Sequence, residues 1–289
     1  MSQTQQTPST DTAADAPERD LSQLTVLVIG AGNMGGPVVQ AMIASGVDGQ
    51  NVLISNSSEA SSQRAAEQLG ARVAEDRQDA LRQADVVVLG VKPYQIVDLA
   101  QEIGEQLRGS AIVISLAAGI TLEAIEQALP SGCAVERAMP NTPISVGEGA
   151  VGLMRGTRVD DEQHALVHAL FAKAGVVEDI TEEQVHAFIG AAGSLSAFTF
   201  SLLEAMSDEA VRLGLKRDLA DRLVQQTVRG AATMLLQTGQ HPAVAKNGVS
   251  SPGGTTVEGL AVMERQGVRP GIAAAMQASA ERSRELTEG

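Results

Sequence analysis

The chain is predicted to fold as a doubly wound parallel α/β sheet followed by an all-helical segment. Three observations predict it. Short apolar runs alternate with stretches of helical spacing through the first half. A Gly-rich turn, Gly30-x-Gly32-x-x-Gly35, follows the first run at once. From Thr181 onward only helical patterns remain.

Val26 to Ile29 is continuously apolar, as expected of a parallel strand buried on both faces. The turn after it contains Asn33 and Met34, and Val38, Val39, Met42 and Ile43 then recur at helical spacing. Gly30 allows a sharp turn, Gly32 lets a pyrophosphate approach the backbone, and Gly35 lets the helix pack on the strand. Free N–H groups of the helix start would face the phosphates, and Pro37 falls where a missing N–H matters little. Strand, glycine turn and helix together form a dinucleotide fingerprint, which predicts a Rossmann domain. A glycine turn of some other α/β protein is the alternative that the motif alone leaves open.

The second strand, Asn51 to Ile54, ends in Ser55-Asn56-Ser57-Ser58, with no acid until Glu59. NAD sites usually place Asp or Glu about 20 residues after the glycines, on the ribose 2′-OH. The small donors Ser55, Asn56 and Ser57 suit a 2′-phosphate better, so NADPH is the expected cofactor, with NADH as an alternative. The nearest cation along the chain is Arg64, a turn or more into the next helix.

The next elements follow in order. Helix is expected over 59–69, a short strand over 71–74, a buried strand over 85–90, helix over 94–107, a buried strand over 111–115, helix over 122–129 with Thr121 as N-cap, and a sixth strand over 133–138. Ligands of such sheets sit beyond the carboxyl ends of the strands. Those ends carry Val91-Lys92-Pro93, Ala117-Ala118-Gly119 and Met139-Pro140-Asn141. Val91, Lys92, Pro93, Ala117, Ala118, Met139, Pro140 and Asn141 are therefore candidates to border the cofactor, with Lys92 the natural cation for phosphate or ribose. Ordinary strand-to-helix turns are the other reading of these stretches. Strands over 150–154 and 176–178 flank a helix over 160–173. His164 and His168 stand at i, i+4 on it. No third ligand has sensible spacing, so no metal is expected and the pair reads as a solvated polar face.

Thr181-Glu182-Glu183-Gln184 is a capping box, and one long helix is expected from there to about Gly214. Ala187 to Leu203 contains 17 uncharged residues, short for a membrane span and interrupted by hydroxyls. A helix apolar nearly all round is buried all round. The 109 residues from 181 to 289 can hardly enclose it, which predicts a second subunit over it. Helices over 218–238, 242–247, 256–266 and 270–286 follow, with Gly239, Gly248 and Gly267 as C-terminal breakers. Between two of these lies Ser250-Ser251-Pro252-Gly253-Gly254-Thr255-Thr256. Gly253 and Gly254 just ahead of a helix make an anion nest suited to a substrate carboxylate, and Ser251, Thr255 and Thr256 add hydroxyls. A capped helix start with no ligand is the alternative.

Three segments are thus expected: a disordered tail over 1–21, the dinucleotide-binding domain over 22–180 and the helical segment over 181–289. The net charge of −14, the absence of Trp and the single Tyr argue against nucleic acid and an anionic membrane as partners. One cysteine, Cys133, and no apolar signal core fit a reducing cytoplasm.

Gly30-Ala-Gly-Asn-Met-Gly35, Val91-Lys-Pro93, Ala117-Ala-Gly119, Arg137-Ala-Met-Pro-Asn-Thr-Pro143 and Ser251-Pro-Gly-Gly-Thr-Thr256, in this order, resemble the pyrroline-5-carboxylate reductases over about residues 24–287. The resemblance implies a Rossmann domain followed by a helical dimerisation domain, reduction of 1-pyrroline-5-carboxylate to L-proline with NADPH or NADH, and dimers that often assemble as pentamers of dimers. It implies that Ser251, Gly254 and Thr255 hold the substrate carboxylate, that Thr256 bonds the ring nitrogen and relays its proton, and that Lys92 and Asn141 line the cofactor. The family's long helix usually carries Pro where this chain has Ser196, so its kink is expected to be missing, and many members have Asp where this chain has Asn247. These departures keep a reductase of six-membered or modified cyclic imino acids as the alternative. A 3-hydroxyacid dehydrogenase is disfavoured, because that chemistry usually needs a lysine on the long helix and none occurs from Thr181 to Arg212.

Overall fold

Eight strands form one sheet: β1 (Val26–Ile29), β2 (Val52–Ser55), β3 (Arg72–Val73), β4 (Val86–Leu89), β5 (Ile112–Ser115), β6 (Ala134–Pro140), β7 (Gly149–Arg155) and β8 (Gly175–Asp179). They are seen in a computed structural model that describes residues 19–288. Most of the expected tail, 1–21, lies outside those residues, and Leu21 already opens a 3-10 turn capped by Asp20.

The order is β3-β2-β1-β4-β5-β6-β7-β8. The first six strands are parallel in the 3-2-1-4-5-6 order of dinucleotide-binding sheets. β1, β4 and β5 are buried at every position, which is why their sequences are continuously apolar. One face packs Val26, Val28, Val86 and Ile114 under Met42 and Phe171, and the other packs Leu27, Val87 and Val113 under Leu99, Ile103 and Ile125. The sheet departs from an all-parallel one at β7, which runs antiparallel to β6 and carries β8 parallel to itself. Only residues 141–148 join β6 to β7, too few for the dozen or so that a parallel crossover needs.

Six helices flank the sheet: α1 (Gly35–Ala44), α2 (Glu59–Leu69), α3 (Arg77–Gln83), α4 (Ile96–Gly104), α5 (Leu122–Ala128) and α6 (Asp161–Leu170). Sequence pattern misses α3, which has seven residues and buries only Ala80 and Leu81. The reading of α6 as a solvated polar face also needs correction. β8 delivers Asp179 to both its histidines, with His168 Nε2 2.7 Å and His164 Nε2 3.2 Å from Asp179 oxygens. His164 Nδ1 lies 3.0 Å from Oε1 of Glu136, a wholly buried residue of β6. Burial pushes the Glu136 carboxyl up to about 7, against the pull of His164.

The remainder is helical: α7 (Val185–Phe188), a π turn (Ile189–Gly193), α8 (Leu195–Arg212), α9 (Arg217–Thr238), α10 (Pro242–Gly248), α11 (Thr255–Arg265) and α12 (Val268–Glu288). The single long helix expected here runs on through a π turn at Ile189–Gly193, just before Ser196, where the hydrogen-bond step changes. Gly190 sits in that turn, where a Cβ would come within 2.9 Å of the Met276 carbonyl oxygen on α12. Gly239 and Gly267 end helices in the left-handed conformation, at φ of 62° and 70°, whereas Gly248 is still inside α10.

Little of this part is covered within one chain. Ser207 is the only buried residue of α8 and Ala220 the only one of α9, while Phe200 is 59% exposed. The stretch Glu182–Arg212 is long and apolar enough to cross a membrane by length and composition, and 11% of its most apolar window is buried. Covering such side chains is worth roughly 1.5–3 kcal/mol each, so this surface favours association.

Candidate functional site: the glycine cleft and the hydroxyl corner

A cleft of about 780 Å³ opens beyond the carboxyl ends of β1 and β4. Gly30, Gly32, Asn33, Met34, Ser55, Asn56, Ser57, Val91, Lys92, Pro93, Ala117 and Ala118 all line it. Its floor is glycine against glycine. Gly30 has φ 98°, and a Cβ on Gly35 or Gly90 would stand 2.2 or 2.4 Å from the Gly30 carbonyl oxygen. Gly32 differs: a Cβ there meets nothing within 4 Å, so it faces open space. Met34 is the N-cap of α1 and makes no side-chain cap bond. The Gly36 N–H donates to the Gly32 carbonyl at 2.9 Å and Pro37 has none, so the Gly35 N–H is the first-turn donor left for a ligand. The cleft therefore fits a pyridine dinucleotide: open backbone at Gly32, an uncapped helix start and room for the cofactor.

Several polar side chains are less free than their sequence suggests. Asn56 Oδ1 accepts the Ala31 N–H at 2.8 Å, and its Nδ2 donates to the Ser61 carbonyl. It ties the glycine turn to β2 and has little left for a phosphate. Ser55 is buried and accepts from Arg77 Nε at 2.9 Å. Ser57 is exposed. Arg77, which sequence reading misses, opens α3 and lines the cleft, where it also pairs with Glu102 at 3.3 Å. It stands 22 residues from Ser55 along the chain, and only the fold brings it there.

Gly35, Met139, Pro140 and Asn141 do not line the cleft; Gly35 packs beneath it against Gly30. Met139 is in the core, and Asn141 is a clasp: its Oδ1 accepts the Ala150 N–H at 2.8 Å, and its Nδ2 donates to the Ala192 carbonyl in the π turn at 3.2 Å. Arg137, 2% exposed, pairs with Glu182 and donates to the Ala117 carbonyl at 3.3 Å. These two links tie the strand ends and the Ala117 loop to the head of the helical part.

Ser251, Gly253, Gly254, Thr255 and Thr256 form a corner at the start of α11. Gly253 has φ 66°, the left-handed region that favours glycine, and the Gly254 N–H donates to the Ser251 carbonyl at 3.0 Å. Gly254 is the N-cap, with no side-chain cap bond, so the serine and threonine hydroxyls are not spent as caps and first-turn N–H groups are left over. Apart from half-buried Gly254 the corner is exposed, and none of it lines the cleft.

Known proteins match both parts. A family model described as pyrroline-5-carboxylate reductase dimerisation matches residues 182–286, and one described as NADP oxidoreductase, coenzyme F420-dependent, matches residues 25–119. The chain is 38% identical to a pyrroline-5-carboxylate reductase of Corynebacterium melassecola, over 91% of this chain and 98% of that one. It is 37% identical to that of Escherichia coli, over 90% and 97%. The solved pyrroline-5-carboxylate reductase of Coxiella burnetii superposes with a TM-score of 0.84 at 36% identity, covering 91% and 98%. Likeness of this degree runs through the sheet and the helices alike, and by it the chain belongs to the pyrroline-5-carboxylate reductase family.

Proposed function

We propose that the protein reduces the C=N bond of 1-pyrroline-5-carboxylate to L-proline, the last step of proline synthesis, with NADPH as main hydride donor and NADH as a second. The observation that carries this reading is the uncapped start of α11. A helix N-terminus that spends none of its hydroxyls on itself is built for an anion that also needs a hydrogen-bond partner.

The cofactor, when bound, supplies the hydride to the imine carbon. The chain does the rest. Backbone at Gly32 and the start of α1 would hold the pyrophosphate, and Ser57 with Arg77, both of which line the cleft, would hold the 2′-phosphate. The Thr255 N–H and the Ser251 hydroxyl, beside the side-chain-free Gly254, hold the carboxylate. The Thr256 hydroxyl would bond the ring nitrogen and relay to it, from solvent at this exposed corner, the proton that balances the hydride. An imine is already electrophilic, so orientation and this one proton suffice, and no strong base is required.

A second protomer brings its hydroxyl corner to the cleft, since the corner lies outside the cleft of its own chain. The exposed faces of α8 and α9 form that interface rather than a membrane span, in a homodimer that assembles further as a pentamer of dimers. The dinucleotide-binding unit runs over 22–180 and the dimerisation unit over 181–289, and the enzyme works in the cytoplasm. The five-membered ring is favoured over six-membered or modified imino acids by the likeness to pyrroline-5-carboxylate reductases, at 37–38% identity over nine-tenths of the chain. NADPH oxidation with pyrroline-5-carboxylate, repeated with Thr256→Ala, tests the reading. A large loss of turnover supports it, and near-normal turnover removes Thr256 from the mechanism.

A further inference from the structure

We propose that His164, His168 and Asp179 form a binding site for a divalent transition-metal ion of the zinc class at the edge of the sheet, outside the cofactor cleft. Two elements converge on it. Positions i and i+4 of α6 place both imidazoles on one side of the helix, edge to face with ring centres 4.8 Å apart. Asp179, the last residue of β8, meets them from the strand, with its oxygens 2.7 Å from His168 Nε2 and 3.2 Å from His164 Nε2. One ligand atom from each of the three lies within 4.8 Å of the others. A tetrahedral ion bound at about 2.0–2.2 Å sets its donors roughly 3.4 Å apart, so the widest pair here draws together on binding.

A separate observation points the same way. Glu136 is wholly buried behind the cluster, and its Oε1 takes the Nδ1 side of His164 at 3.0 Å. When His164 donates Nδ1–H to Glu136, its Nε2 lone pair faces outward, which is how carboxylates orient metal-bound histidines. Glu136 Oε2 has no hydrogen-bond partner. A buried carboxylate left half matched is costly, and a dication on the far side of the imidazole supplies the missing positive charge. Asp179 is largely exposed, which leaves one face open for water as a fourth ligand. Two imidazoles and one carboxylate select zinc, nickel or copper over magnesium or calcium. The ion would pin α6 to β8 two residues before Thr181, where the helical part begins.

The test is zinc titration of the tag-free, EDTA-stripped full chain by calorimetry, with bound metal counted by elemental analysis and magnesium as control. The expected result is one zinc per chain, little heat with magnesium, and a melting temperature about 5 °C higher with zinc at roughly 100 times its dissociation constant. Asp179→Asn, a change at an exposed residue, weakens zinc at least about tenfold while NADPH oxidation stays unchanged. Glu136→Gln keeps the stoichiometry and weakens affinity about 10- to 100-fold. Absence of zinc uptake by the unaltered chain overturns the proposal and leaves a hydrogen-bonded cluster only. Equal uptake by His168→Ala and Asp179→Asn overturns it by placing the ion elsewhere.

Discussion

One methyl group at Gly32 should separate cofactor binding from folding, and one at Gly35 should not. A Cβ on Gly32 meets no protein atom within 4 Å, so Gly32→Ala should leave stability within about 0.5 kcal/mol of the parent. The same methyl stands where the pyrophosphate must approach the backbone. Losing one charge-assisted hydrogen bond there costs about 1.5–3 kcal/mol, or about 10- to 100-fold in NADPH affinity. A Cβ on Gly35 falls 2.2 Å from the Gly30 carbonyl oxygen, backbone against backbone, so Gly35→Ala forces α1 off β1. Overpacking of this kind costs about 1–3 kcal/mol and should lower the melting temperature by roughly 2–10 °C. NADPH fluorescence titration and thermal melts measure the two effects separately, and the chain has no tryptophan to confuse the signal. Unchanged NADPH affinity in Gly32→Ala, or a parent-like melt in Gly35→Ala, would refute the division of labour among these glycines.

Three further outcomes are expected. Arg77→Ala should raise KM for NADPH about tenfold, near 1.4 kcal/mol, and leave KM for NADH alone; equal effects on both would remove Arg77 from the 2′-phosphate. Glu182→Gln strands the buried Arg137 guanidinium and should cost about 1–3 kcal/mol in urea unfolding, below the 3–5 of a fully buried pair because Glu182 is one-third exposed. A parent-like unfolding midpoint would show that the pair holds nothing together. Phe200→Asp, neutral on a true surface, should dissociate the oligomer in sedimentation, and an intact oligomer would place the interface elsewhere.

The sheet was legible because burial on both faces leaves a plain mark: β1, β4 and β5 are unbroken apolar runs, and the glycines of the turn between β1 and α1 have no side chains to mislead. The hydroxyl corner was legible because Gly253 and Gly254 lie directly ahead of a helix. What stayed hidden depends on partners far along the chain. Asn56 and Asn141 read as polar donors, yet their side chains are bonded to Ala31, Ser61, Ala150 and Ala192. Arg77 and Asp179 reach Ser55 and the histidine pair only through the packing of α3 and β8. The π turn is hidden as well, since Ile189 to Gly193 keep helical composition while the hydrogen-bond step changes.

In the proposed enzyme the cleft of one protomer works with the hydroxyl corner of its partner. Mixing subunits tests it most directly. A cleft-defective chain, Gly32→Val, and a corner-defective chain, Thr256→Ala, are each inactive by this account. Unfolded and refolded together in equal amounts, they form hybrid dimers in which one of the two sites has both halves intact. Hybrids make up half of a random mixture, so activity should return to about one quarter of the parent's. A mixture as inactive as its components, with hybrids present by mass, would contradict the claim.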